Sequence, residues 1–303
     1  MILSGNRGQS KTTIHGWPSF FFGIPFAAIG IAGLLMMAGV IPVSQEIIHG
    51  PQWILWIFAG FFLFSGLSFM WLGFRGAIRR KNIEFLRRRR PSSPWEWDFP
   101  WSPIGFWHPK WKKSAKTLTL FFIFLIFLAP FNWWAFVSGE TSIVLYFVVG
   151  LFDLIIVGIF CQFVYHTLQF FKYGTSRLLF FAFPFHLGGE LKLGLERLPS
   201  RVLIKELELN LRFIEERYEI RGTGNDRCQD VVCHQKYLDQ RRLAGREIPP
   251  GPVLEFEWSL PENAGFVNRL SERPARFWEL EVLAKTSGVD YDEQSLLPVC
   301  ERP

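Results

Sequence analysis

Residues 143–168 read IVLYFVVGLFDLIIVGIFCQFVYHTL, and residues 190–196, some twenty positions later, read ELKLGLE. The first stretch is apolar on every side of a helix and holds one acid, Asp153. A helix rises about 1.5 Å per residue, so roughly 20 apolar residues cross a hydrocarbon core of about 30 Å. The second stretch alternates leucine with other residues, the period of a half-buried strand. Between them the chain changes from a lipid-spanning pattern to a β pattern. Working back from Ile143, three more uncharged runs appear: Phe20–Val43, Trp53–Phe74 and Leu118–Phe136. The links Ser44–Gln52 and Val137–Ser142 are short. The pattern predicts four transmembrane helices in two antiparallel hairpins, residues 20–74 and 118–172. A tail of residues 1–19 precedes them and a loop of residues 75–117 separates them.

Working forward, alternation continues through residues 175–303. Leu207, Leu209, Leu211 and Phe213 alternate with Glu206, Glu208, Asn210 and Arg212. Leu254, Phe256, Trp258 and Leu260 alternate with Glu255, Glu257 and Ser259, and Trp278, Leu280 and Val282 with Glu279 and Glu281. Arg177–Phe183, Val231–Tyr237 and Leu296–Cys300 are further candidate strands. Turn signals separate them at Gly188-Gly189, Gly222-Thr223-Gly224-Asn225 and Pro249-Pro250-Gly251-Pro252. No helical period intervenes, so the expected fold class is membrane α-helical with an all-β sandwich at the C-terminus. One face of each strand is expected to be wet.

Charge gives the orientation. Up to Gly174 there are 15 Lys and Arg against 6 Asp and Glu; beyond it there are 18 against 21. Twelve of the 15 basic residues lie between Arg75 and Lys116, and the two short links hold none. The positive-inside rule then puts the tail, the long loop and the β domain in the cytoplasm. The four cysteines are too few and scattered for a secreted disulfide framework. The first apolar run is too long for a signal-peptide core, so a multi-pass protein of the bacterial inner membrane is expected.

The long loop combines Arg87, Arg88, Arg89 and Arg90 with Trp95, Trp97 and Trp101. Cations attract anionic headgroups and indoles settle at the interface, so these seven residues are the expected membrane-surface contacts. Nucleic acid is not an expected partner, because the membrane competes for the same cations. Small residues in the first run, from Ala27 to Gly39, fit close helix packing inside one chain; a homo-oligomer built on that face is the competing expectation. Asp153 is an intramembrane polar residue, expected to pair with a group such as Asn132 or Ser65. Cys228, Cys233 and His234 are one ligand short of a structural zinc set, unless Cys300 or His186 joins them. Asp290, Asp292 and Glu293 read as a turn rather than a calcium loop. No catalytic residue, metal or cofactor is expected.

Three motifs carry a resemblance. They are the arginine run leading into Pro94-Trp95-Glu96-Trp97, then Gly188-Gly189-Glu190-Leu191-Lys192-Leu193-Gly194, and Gly288-Val289-Asp290-Tyr291 with Pro298-Val299. Together they resemble a group of uncharacterised bacterial inner-membrane proteins of unknown function. The resemblance covers most of the chain. It implies two membrane hairpins before a C-terminal sandwich similar to immunoglobulin or arrestin domains, and it carries over no catalytic residue. Cys300 departs from it, standing where an aromatic or apolar residue is expected.

The expected function is that of a membrane-anchored, non-enzymatic interaction or scaffold protein with a protein partner. The alternatives are a transport or channel component using Asp153 and a membrane-bound enzyme with a metal near Cys228, Cys233 and His234.

Overall fold

The computed structural model describes residues 2–3, 16–42, 52–138, 143–196, 204–221, 227–248 and 251–302. Arg7 and Lys11 of the tail, most of both short links (44–51 and 139–142) and the turns at 222–225 and 249–250 lie outside these. The chain divides into two compact units. One, residues 14–81 and 112–166, is helical; the other holds the strands together with residues 82–111 and 167–173.

Four helices are long and apolar enough to cross a membrane: α1 (Trp17–Met37), α2 (Gln52–Arg89), α4 (Trp111–Phe136) and α5 (Ile143–Tyr173). Three outrun their apolar cores. α2 continues past Phe74 to Arg89, because nothing in that stretch breaks a helix until Pro91 disfavours helical backbone at the residue before it. α4 starts seven residues ahead of Leu118, through Lys112, Lys113 and Lys116, and α5 ends at Tyr173 before Gly174, whose φ of 61° closes the helix. α3 is a single turn, Pro94–Trp97.

Within the helical unit, α1 and α2 cross at backbone distance. A Cβ on Gly30 would lie 2.4 Å from the Leu63 nitrogen, and one on Gly66 2.3 Å from the Ala27 nitrogen. The small face of α1 is therefore used inside the chain, against α2. Phe58 and Phe61 of α2 meet Phe127 of α4, and Phe121 of α4 meets Phe160 of α5. Asp153 accepts a 3.0 Å hydrogen bond from the Asn132 amide, pairing α5 with α4.

The strands form three sheets. A five-stranded sheet has the order β1-β7-β6-β9-β10: Ile2–Leu3, Cys228–Ala244, Ile204–Arg221, Arg276–Thr286 and Tyr291–Leu297. A four-stranded sheet has the order β2-β3-β5-β8: Gly105–Pro109, Thr175–Phe180, Glu190–Glu196 and Val253–Ser259. β4 (Phe185–His186) and β11 (Val299–Cys300) make a short parallel pair. Leucines of β5, β6 and β9 and the aromatics Phe180, Phe213, Phe256, Trp258, Trp278 and Tyr291 share one buried cluster, so the two larger sheets pack as a sandwich-like pair.

The β unit draws on more of the chain than residues 175–303, for β1 comes from the tail and β2 from the long loop. Two expectations about wet faces also change. Glu279 and Glu281 are buried, at 0% and 3% exposure. β9 is central in its sheet, and Glu281 takes bonds from Arg212 at 2.6 Å, Asn210 at 3.1 Å and Gln294 at 3.3 Å. Glu216 is likewise buried, accepting from the Ala275 amide. Alternation assigns residues to faces; it does not say what covers a face.

Candidate functional site

The β9–β10 hairpin and the loop before it are bonded by residues 82–111 and 167–173 of the same compact unit. α5 delivers Gln169, Lys172 and Tyr173. The Lys172 ammonium donates to Thr286 Oγ1 at 2.7 Å, the Ser287 carbonyl at 2.6 Å and the Val289 carbonyl at 2.9 Å. Three donors thus meet three acceptors. The Tyr173 hydroxyl donates to the Val289 carbonyl and lies 2.7 Å from Thr286 Oγ1. The Gln169 amide donates to the Asp290 carbonyl at 3.0 Å, and Asp290 Oδ1 accepts from the Thr286 amide within the turn. The Gly288-Val289-Asp290-Tyr291 motif is this turn; its carbonyls point at the helix end.

α2 and α3 deliver Asp98. Its carboxylate is 4% exposed and accepts from the Leu270 amide at 2.8 Å, the Ser271 amide at 2.7 Å and the Ser271 hydroxyl at 2.6 Å. Charge-assisted bonds of this number are strong for a buried carboxylate. Arg87 on the last turns of α2 reaches Glu272 at 3.1 Å.

Lys110, one residue ahead of α4, is 1% exposed. Its ammonium pairs with Glu293 and donates to the Asp292 carbonyl at 2.6 Å, 4.3 Å above the Tyr291 ring. His108 Nδ1 lies 3.3 Å from the other Glu293 oxygen, and His108 Nε2 lies 2.8 Å from Ser295 Oγ. Burial, joined by the Glu293 and Asp292 carboxylates, holds the Tyr291 phenol well above its ordinary range, so it stays neutral and bonds Ser176 at 2.7 Å. Ser295, His108 and Glu293 have the connectivity of a nucleophile, base and acid. Ser295 is only 5% exposed, however, and the chain of bonds ends on Lys110 rather than on an opening. It works as a seam that ties β2, an edge of one sheet, to β10, an edge of the other.

Of the seven expected membrane-surface residues, Arg87, Trp95 and Trp101 meet residues of the strands or of the loop before β9. Arg87 stacks over Trp97, whose indole donates to the Arg90 carbonyl at 3.1 Å, and Arg90 pairs with Glu96. Trp95 sits edge-on to His186, and Trp101 packs on Phe99, Phe106 and the cluster around Phe277. Arg88 and Arg89 are exposed.

The metal candidates do not converge. Cys233 packs with Ile214 and Phe277, whereas His234, its neighbour on β7, bonds Glu219 at 2.8 Å. Adjacent strand residues point to opposite faces. The Cys228 side chain lies outside the described residues. Cys300 and His186 oppose each other in the β11–β4 pair, and burial, then the Asp98 charge, pushes the Cys300 thiol up to about 12. Among the described residues no group of three or more His, Cys, Asp or Glu is placed to hold a metal ion.

No family model and no curated protein matches the chain. Among the solved structures that match is Spo0M, a sporulation control protein from Bacillus subtilis, at 9% identity and a TM-score of 0.27. The match covers 42% of this chain and spans about half, 49%, of that one. A likeness of that size carries no argument here.

Proposed function

We propose that this chain is a membrane-anchored, non-enzymatic interaction protein. In this reading four helices lie in a bacterial inner membrane and carry a cytoplasmic β-sandwich on their ends, for a protein partner to bind. The observation that carries it is the hairpin seat: Asp98, Lys110, Gln169, Lys172 and Tyr173 direct their polar groups to the β9–β10 hairpin and the loop before it rather than lining an opening. A transporter needs a polar path. The Asp153 carboxylate instead takes the Asn132 amide, the structural pairing typical of polar groups in lipid.

Membrane insertion is supported by the bare helix faces. Phe147 and Leu154 of α5 are 74% and 69% exposed, and a helix that is apolar all round belongs in a dry environment. Headgroup contact passes, in this reading, to Arg75, Arg79 and Arg80, next to the apolar part of α2. Arg87 lies thirteen residues past Phe74. That is ~20 Å along a helix, about two screening lengths at physiological salt.

Two measurements test the reading. A reporter fused after Pro303 is expected to read as cytoplasmic and one inserted at Gly139 as external; a cytoplasmic Gly139 reporter overturns the orientation. Proximity labelling from the sandwich in native membranes is expected to mark a reproducible protein neighbour that is lost when the sandwich is removed. Identical labelling with and without the sandwich overturns the interaction role.

A further inference from the structure

The interaction reading leaves open which surface meets the partner, and the sandwich edges differ in a way that answers it. β2 and β10 are tied together by Lys110, Glu293, His108 and Ser295. Among the described residues β7 carries β1 at Cys233 and His234 alone, and the rest of its outer edge holds Lys236, Arg241 and Arg242, the wrong charge for a basic segment. β8 ends its sheet, and among the described residues no strand pairs with its outward side.

The backbone phase of β8 follows from its neighbours. The Leu260 amide bonds the Gly189 carbonyl, and residues 189 and 260 continue the β5–β8 register. Bonded pairs alternate in an antiparallel ladder, so Leu254, Phe256 and Trp258 turn their amides and carbonyls toward β5. Glu255 and Glu257 therefore turn theirs outward. The Phe181 amide bonding the Lys192 carbonyl gives the same phase from the other side of β5. The two glutamates also carry exposed carboxylates on the outer sheet face, where Glu257 pairs with Lys192 of β5 at 3.2 Å, while Phe256 and Trp258 are buried on the inner face. Pro252 and Pro261 bracket the edge.

We propose that the outward edge of β8 is the docking edge, and that it takes an extended protein segment with basic residues at alternate positions. This rests on the interaction reading above. An added strand bonds the Glu255 and Glu257 backbones, and its residues opposite them lie on the same face as the carboxylates. Lys or Arg at those two places meets opposite charge. The residues between face inward, beside Phe256 and Trp258, and are apolar. A second copy of β8 is disfavoured in this place. An antiparallel self-pair centred on Phe256 sets Glu255 against Glu257, like charge directly opposite like charge.

The test uses the full chain in zwitterionic detergent and two fluorescein-labelled peptides, TKVKVKT and TEVEVET, followed by anisotropy. The basic peptide is expected to bind at least tenfold tighter than the acidic one. The double variant Glu255→Lys, Glu257→Lys is expected to reverse that preference. Glu257→Pro removes an outward amide and leaves the β5 ladder intact, as a proline on an edge strand does. It is expected to weaken the basic peptide at least tenfold, and Glu257→Gln, which keeps the amide, by clearly less. Unchanged melting of each variant shows that the fold is kept. Equal binding of the two peptides, or binding indifferent to Glu257→Pro, overturns the edge. A sandwich-dependent neighbour that persists in Glu257→Pro membranes overturns the edge alone; loss of any sandwich-dependent neighbour in the unaltered chain overturns the interaction reading itself.

Discussion

Glu293→Ala is expected to destabilise the β unit by about 3–5 kcal/mol, because it leaves the buried Lys110 ammonium without its countercharge. Lys110 is 1% exposed, so its ammonium has no water to replace the lost carboxylate. The Asp292 carbonyl remains as an acceptor but supplies only a fraction of a charge. A loss of that size approaches the whole stability of a small domain. The check is a urea titration of the full chain in detergent, read by protease cleavage of the β unit. Replacing both partners, Lys110→Met with Glu293→Leu, is expected to restore most of the loss, since a buried pair exchanged for apolar groups is often neutral. A single variant as stable as the double one would show that the pair is not a seam.

Trp258→Ala is expected to cost about 3–5 kcal/mol through the cavity it leaves. Trp258 is fully buried, with Phe256 against its ring and Arg241 stacked 4.7 Å above it. Its indole nitrogen is buried without a hydrogen-bond partner. An unpaired buried donor is itself unfavourable, so Trp258→Phe is expected to cost much less than Trp258→Ala. Glu257→Ala, one residue along on the exposed face, is expected to stay within about 0.5 kcal/mol. The same titration ranks the three. Equal midpoints for Trp258→Ala and Glu257→Ala would mean that the two faces of β8 are wrongly assigned.

The helices and the inward faces of the main strands are legible in the sequence, because hydrophobic period reports burial directly. Trp258 and Trp278 fall in phase with leucines and are both buried. The seat is not legible. Lys110 looks like Lys112, Lys113 and Lys116, and only the fold makes it the buried one. β2 is five residues inside a stretch rich in tryptophan, proline and lysine, too short for alternation to register. α2 runs beyond its apolar core because helix propensity and lipid solubility are different properties, and a hydropathy window sees only the second. Glu281 obeys the strand period yet is buried, since Arg212, Asn210 and Gln294 approach from neighbouring strands. The clearest trace of the seat in the sequence is Gly288-Val289-Asp290-Tyr291, which looked like an acidic turn and carries the carbonyls that hold Lys172.

The β9–β10 turn holds the last turn of α5 through Gln169, Lys172 and Tyr173. Hydrogen exchange at the amides of residues 286–291, in the full chain with and without Lys172→Met, tests it most directly. Three bonds to the turn disappear in that variant. In the variant, exchange is expected to be at least tenfold faster across the turn and in the last turn of α5, with little change in β8, on the other sheet. Exchange at residues 286–291 that is already fast in the unaltered chain, or unmoved by the substitution, would contradict it.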